Sequence, residues 1–364
     1  MKLSHITSIL EDFAPLSLQE SYDNAGLVTG HKEMDISEAL LCIDITESVI
    51  NEAIQKGCNL IISHHPLIFK GLKKINGSNY IERCVIKAIK NDIAIYCAHT
   101  NIDSVLNGVS HKMGDKLNLI NTRILSPNKD NLKKLICYCP KEHSEKVRNA
   151  IFKAGAGSIG NYDNCSFNIN GEGTFKANLK ANPFVGEKEK IHTESETRIE
   201  VLLPNHISNK VISAMKEAHP YEEVAFDIIN TEINDTTTGF GLIGELEEEI
   251  NTNDFLNLIK ETFNCEAIRH SPLINTTIKT VALCGGSGSF LINNAINSKA
   301  DIFITGDIKY HDYFTTEDKI ILADIGHYES EQFTKDIFYE LVTKKIPTFA
   351  VRFSEVNTNP INYI

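Results

Sequence analysis

The chain has 364 residues, 42% of them hydrophobic, which is length and apolar content for two domains with cores of their own and excludes disorder as the default reading. A formal net charge of -12, with acidic runs such as Glu245 to Glu249, leaves little bulk attraction for a nucleic-acid backbone, so a phosphate-bearing ligand must be held locally. No apolar run approaches the roughly 18 residues of a spanning helix, Met1 to Gly30 holds no secretory core, and the cysteines form no CxxC pair; a cytoplasmic protein without a membrane partner is expected.

In chain order, the stretch ALLCIDITESVINEAIQKGCNLIISHHPLIF from Ala39 opens with a short β-branched strand. A helix follows with Val49, Ile50, Ala53 and Ile54 on one face, stops at Gly57, and gives way to a buried strand, Leu60 to Ile62, that ends at His64 and His65. IAIYCAHTNID is a further strand running into a polar loop with His99 and Asp103. After Ser126-Pro127 the pattern changes to a strand (LKKLICYC), a helix from Ser144 to Ala154, two short strands around Gly171 and Gly173, a strand (TRIEVLLP), a helix from Ser208 to Ala218 and a strand (VAFDII). That order predicts a ferredoxin-like α+β insertion over 126-236, in which KANPFVGEKEKIHTESE reads as a polar loop. TVALCGGSGSFLINNAINSKADIFITGDIKYHDYF then repeats the first unit: strand 280-284, a glycine-rich turn, a helix carrying Leu291, Ile292, Ala295 and Ile296, and strand 301-305 running to Gly306 and Asp307. IILADIGHYESE is its last strand and loop. The expected architecture is α/β: two repeated βαβ-containing halves form one domain of residues 1-125 and 237-364, interrupted by the insertion 126-236.

A lone histidine is more often a surface or satisfied core residue than a ligand, so His5, His31, His143, His192, His206 and His270 point nowhere by themselves. The pair His64-His65 differs, because it follows a buried strand and precedes Pro66, which presents both imidazoles at a carboxyl strand end, where open α/β sheets place ligand sites. His327 and Glu331, four residues apart, share a helix face if a helix starts just after His327. With Asp103 they make three histidines and two carboxylates, more than the roughly three protein ligands of a single catalytic zinc. Shared between two ions ~3.5-4 Å apart, the same five leave room for water, and imidazole with carboxylate suits zinc, manganese or iron better than calcium. His99 and His311 are candidates for proton transfer, and Asp307 and Asp324 for orienting the metal ligands. The turn CGGSGS reads equally as a tight turn and as an anion cradle.

The segments YDNAGLVTG (22-30), SHHPLIFKGLKKI (63-75), AHTNIDSVLNGVS (98-110), CGGSGS (284-289), TGDIKYHD (305-312) and DIGHYESE (324-331) together resemble the GTP cyclohydrolase I type 2, or NIF-three-like, family over almost the whole chain. The resemblance implies a dinuclear metal site at His64, His65, Asp103, His327 and Glu331. It also implies a PII-like or CutA-like insertion around AHPYEEVAFDI (218-228), and a toroidal homo-oligomer, usually a hexamer. The function it implies is metal-dependent hydrolysis of a small nucleotide-like substrate, with purine ring opening and formate release as the candidate reaction. Two alternatives stand beside it: a metal-dependent phosphoesterase on nucleotides or short oligonucleotides, and a non-enzymatic metal-holding regulatory scaffold. Formate, phosphate or no product at all separates the three.

Overall fold

Short β-branched runs build strands, and amphipathic stretches bounded by polar caps build the helices between them. The helix Glu47–Lys56 shows the local logic: the Thr46 side chain accepts from the amide of Val49 at its start, and Gly57 ends it in the left-handed conformation at φ 74°. A computed structural model describes residues 1–128 and 131–364, in two compact units, Met1–Pro127 with Thr236–Ile364 and Asn128–Asp235.

The first unit is a mixed α/β structure with two sheets. One has five strands in the order Gly26–Thr29, Ala94–Cys97, Leu60–Ser63, Glu38–Cys42, Ala350–Phe353, all parallel except the first. Alternate residues feed opposite faces. Ala39, Leu41, Leu60, Ile62 and Tyr96 pack with the helices Leu3–Phe13 and Thr334–Lys345, while Leu40, Ile61 and Ile95 pack with Glu47–Lys56 and Tyr80–Lys90. Burial on both faces is why these strands read as continuous apolar runs.

The other sheet has six strands in the order Arg269–His270, Ile321–Asp324, Ile302–Gly306, Thr277–Ser287, Gly239–Asn251, Ile120–Pro127, with a parallel centre of the second, third and fourth. Parallel strands carry their polar loops at a common end, and His64, His65, His99, Asp307 and His327 all lie just beyond such strand ends.

In the second unit one antiparallel sheet, ordered Phe167–Lys176, Ile191–Leu203, Asn131–Pro140, Phe226–Asn234, buries one face under the helices Ser144–Lys153 and Ser208–Ala218. Two expectations change here. The short strands around Gly171 and Gly173 are one strand of 10 residues, paired along its length with Ile191–Leu203. Residues 191–196, expected as loop, begin that partner strand; both of their faces are polar or exposed, so the period of two carries no hydrophobic contrast. Among the described residues no helix is long and apolar enough to cross a membrane.

Candidate metal centre

Four histidines converge inside the first unit, each tied at Nδ1. His64 Nδ1 lies 2.9 Å from the carbonyl oxygen of Ala98, His65 Nδ1 2.7 Å from Asp44 Oδ1, His99 Nδ1 2.8 Å from Asp23 Oδ1, and His327 Nδ1 2.7 Å from Asp307 Oδ2. A carbonyl or carboxylate oxygen can only accept, so each Nδ1 donates its proton and the opposite nitrogen is left to face the cluster. His65 Nε2 and His327 Nε2 stand 3.1 Å apart, two lone-pair atoms turned toward each other. That arrangement is favourable only with a proton or a cation between them.

Glu331 sits among them, nearly fully buried. Its Oε2 lies 3.0 Å from His65 Nε2 and 3.1 Å from His327 Nε2, while its Oε1 lies 3.4 Å from His64 Nε2; Asp103 Oδ1 is 3.8 Å from the same His64 nitrogen. Three overlapping sets have donor atoms within 4.8 Å of one another: His64, His65 and His99; His65, His327 and Glu331; His64, Asp103 and Glu331. The buried atoms His64 Nε2, Asp103 Oδ1 and Glu331 Oε2 have no hydrogen-bond partner. An orphaned buried polar atom is costly, and a cation held at this point would satisfy all three. The donors present therefore fit metal.

The ionisation pattern agrees. Burial opposes charge on His65, but the hydrogen-bonded carboxylate of Asp44 and the neighbouring carboxylate of Glu331 outweigh it and push the imidazolium up to about 9. The same contest, with Asp307 and Glu331, lifts His327 to about 11. Burial, then the negative charge of Glu331, raises Asp103 to about 8. For Glu331 burial is overcome by His64, His327 and His65, which hold its carboxyl well below the ordinary value. Without cations the cluster keeps protons between its ligands, and a metal ion must displace them.

Backbone close approach makes room for these groups. Gly286 has φ 63°, and a Cβ there would come within 2.2 Å of Glu331 Oε1. This settles how the CGGSGS turn is used. Its strand continues through Gly285 and Gly286 to Ser287, and the amides of Gly286 and Gly288 donate to Ser330 Oγ at 2.8 Å and Thr305 Oγ1 at 2.9 Å. Those two amides are spent inside the fold, so the anion-cradle reading is withdrawn.

Asp103 ends a short helical turn, Thr100–Asp103, instead of lying in a loop, and the helix carrying Glu331 begins at His327 itself. Asp307 adopts φ 56°, a left-handed conformation strained for a side chain, in the act of holding His327. Asp324 holds backbone instead: it accepts from the amides of Ile308 at 2.9 Å and Gly326 at 3.0 Å, and pairs with Arg269. His311 is exposed on the segment Tyr310–Thr316, with the rings of Tyr310 and Phe314 as neighbours, and belongs to none of the three donor sets. Sequence reasoning missed Asp23 and Asp44. Asp23 lies inside YDNAGLVTG and Asp44 two residues beyond its strand, but neither shows a ligand-like spacing. A cleft of about 520 Å³ adjoins the cluster, lined in part by Asp44, His65, Arg269, Asp307, His327 and Tyr363.

Known proteins share this chain from end to end. It is 37% identical to a Bacillus subtilis (strain 168) protein named GTP cyclohydrolase 1 type 2 homolog, over 99% of this chain and 98% of that one. A Staphylococcus aureus (strain MSSA476) protein of the same name is 35% identical over the full length of both. Among solved structures, a Bacillus cereus protein related to NIF3 superposes with a TM-score of 0.86 at 36% identity, covering 100% of this chain and 99% of that one. The model of the Duf34/NIF3 (NGG1p interacting factor 3) family matches residues 1–360, and the chain belongs to that family.

Proposed function

We propose that the chain is a metal-dependent hydrolase of a small nucleotide-like substrate, working at two divalent ions held by His64, His65, Asp103, His327 and Glu331, with His99 beside them. Glu331 carries the reading: one oxygen faces His64 on the Asp103 side and the other faces His65 and His327, so a single carboxylate serves two sets of donors. Imidazole and carboxylate without thiolate suit zinc, manganese or iron. Bound there, two such ions supply water acidified toward neutral pH and positive charge for the bond under attack.

The chain's own groups do the rest. Ala98, Asp44 and Asp307 fix the three ligand imidazoles, and Asp23, held to about 2 by His99 and Thr100 against its burial, fixes His99. His99 then offers its free nitrogen to take or give a proton beside the donors. Arg269 supplies a cation on the cleft wall for an anionic substrate group. The names of the relatives support a purine nucleotide as substrate and ring opening with formate release as the candidate reaction. Element order and strand order support a ferredoxin-like reading of the second unit. The same reading includes a homo-oligomer, a hexamer by the resemblance of the sequence motifs.

The test is to incubate metal-loaded protein with a panel of nucleotides and identify products by mass. Formate with a ring-opened purine is the expected result. Phosphate or a mononucleotide would make the centre a phosphoesterase, and no turnover at full metal occupancy would refute hydrolysis in favour of a scaffold.

A further inference from the structure

We propose that the second unit carries a separate binding site for an uncharged planar heterocycle with a lactam edge, of the 6-oxopurine type. It lies between the open face of the sheet and the segment 177–184. The site shares no residue with the metal cluster, so the proposal stands independently of the hydrolase reading.

Helices cover one face of this sheet through Cys137, Cys139, Ile199 and Val201. Tyr138, Glu196 and Arg198 alternate with those positions and so face the other way. Beyond Lys176 the chain folds back across that open face. The amide of Glu189 donates to the carbonyl of Ala177 at 2.7 Å, and the amide of Asn182 to Glu222 Oε1 at 2.7 Å. Beneath it is a cavity of about 590 Å³, within the range that holds small ligands.

Three rings supply stacking surface in that cavity. The centroid of Tyr221 lies 6.1 Å from that of Phe175 and 6.4 Å from that of Phe184. A flat heterocycle gains from such faces without regard to its sequence of ring atoms.

Two polar groups supply the edge recognition. Tyr221 donates its hydroxyl to Glu196 Oε1 at 2.9 Å, which fixes the carboxylate. Oε2 then lies over Gly173, so close that a Cβ there would meet it at 2.2 Å. Glycine at 173 is what lets the carboxylate lie down on the sheet. Two residues along the same face, Arg198 lines the cavity with its side chain 40% exposed and pairs through Nη2 with Glu200 at 2.8 Å. A fixed carboxylate asks for neighbouring N–H donors, and the Arg198 guanidinium, with more N–H groups than Glu200 uses, offers donors to an acceptor. The N1–H and exocyclic N–H groups of a 6-oxopurine satisfy the first, and its O6 or N7 satisfies the second. An adenine edge instead turns the N1 lone pair toward the carboxylate. Glu172, Glu196, Glu222 and Glu223 line the cavity against Arg198, the one cationic side chain among the described lining residues, so an attached phosphate is repelled.

Isothermal titration of the full-length protein with guanosine, adenosine and GMP tests this, with and without chelator. Guanosine is expected to bind about 10-fold or more tightly than either of the others, equally in both conditions. Glu196→Gln should weaken guanosine about 10-fold or more, and Phe175→Ala by about 5- to 100-fold, with metal content unchanged in each. Gly173→Val should block the site without altering its charge, and Arg198→Met serves if a first variant fails to fold. Absence of guanosine binding up to about 1 mM would overturn the proposal, as would GMP binding as tightly as guanosine. So would binding that His64→Ala abolishes while Glu196→Gln and Gly173→Val leave it intact, since the ligand would then occupy the metal centre.

Discussion

Asp44→Asn isolates the role of a carboxylate that touches no ion. Asp44 takes the Nδ1 proton of His65 at 2.7 Å and, through its other oxygen, the hydroxyl of Thr358 at 2.7 Å. His65 is pushed from 6.5 to about 9 against its own burial, by Asp44 and Glu331 together. That rise corresponds to about 3 kcal/mol. The Asp44 side chain is 33% exposed, so water screens its share, and removing its charge should lower the His65 pKa by only part of that rise. NMR titration of the imidazole in metal-free protein reads that change. Asparagine still offers a carbonyl to Nδ1 but orients and polarises the ring less well, so metal affinity should fall about 10- to 100-fold. At pH 7 the lower pKa partly offsets this loss by easing proton competition. The deficit should therefore be larger at pH 9 than at pH 7, measured by competition with a chelator of known affinity. A variant with unchanged His65 titration and affinity within twofold of the parent at both pH values would refute the reasoning.

Three further outcomes are expected. Gly286→Ala puts a Cβ within 2.2 Å of Glu331 Oε1 at φ 63°, so it should lose bound metal and about 1–3 kcal/mol of stability; elemental analysis showing full occupancy would contradict this. His65 and His327 are raised above the unfolded value, so in metal-free protein their contribution to stability is present below about 6.5 and is lost as pH rises through about 9 for His65. Metal binding displaces those protons, so affinity should climb over the same window, and calorimetry in two buffers of different ionisation enthalpy should detect proton release. Finally, Asp103→Asn should abolish turnover of a confirmed substrate, whereas His99→Gln, with both metals retained, should cost about 10²–10⁴-fold as loss of a proton carrier does. Equal loss in the two variants would make His99 the essential base.

What the sequence shows and what it hides follow from the range of the interactions. His64 and His65 stand beside each other before Pro66, and His327 and Glu331 are one helical turn apart, so both pairs are visible as local spacing. The partners that fix the rings are not local. Asp44 lies 21 residues from His65 and Asp23 lies 76 residues from His99, and each meets its histidine only because strand ends come together in the folded sheet. The role of Gly286 is hidden for the same reason, since its requirement comes from a carboxylate at 331. The parallel strands were legible because burial on both faces leaves unbroken apolar runs, whereas Ile191–Leu203 starts on a two-sided polar stretch and gives no such signal.

His65 and His327 are 262 residues apart, with the whole of the second unit between them, and the strand Ala350–Phe353 pairs beside Glu38–Cys42 in the first sheet. At a synthesis rate of ~5–20 residues per second, roughly 13–52 s pass on the ribosome between the emergence of the two histidines. During that interval His64, His65 and Asp103 are present without Glu331, and Glu38–Cys42 has an unpaired edge. The four strands of the second unit, contiguous in the chain, are complete first. Closure of the two donor sets that contain Glu331 is thereby placed after translation has passed that residue, and a nascent chain stalled within the second unit exposes a half-site of imidazoles and an open sheet edge.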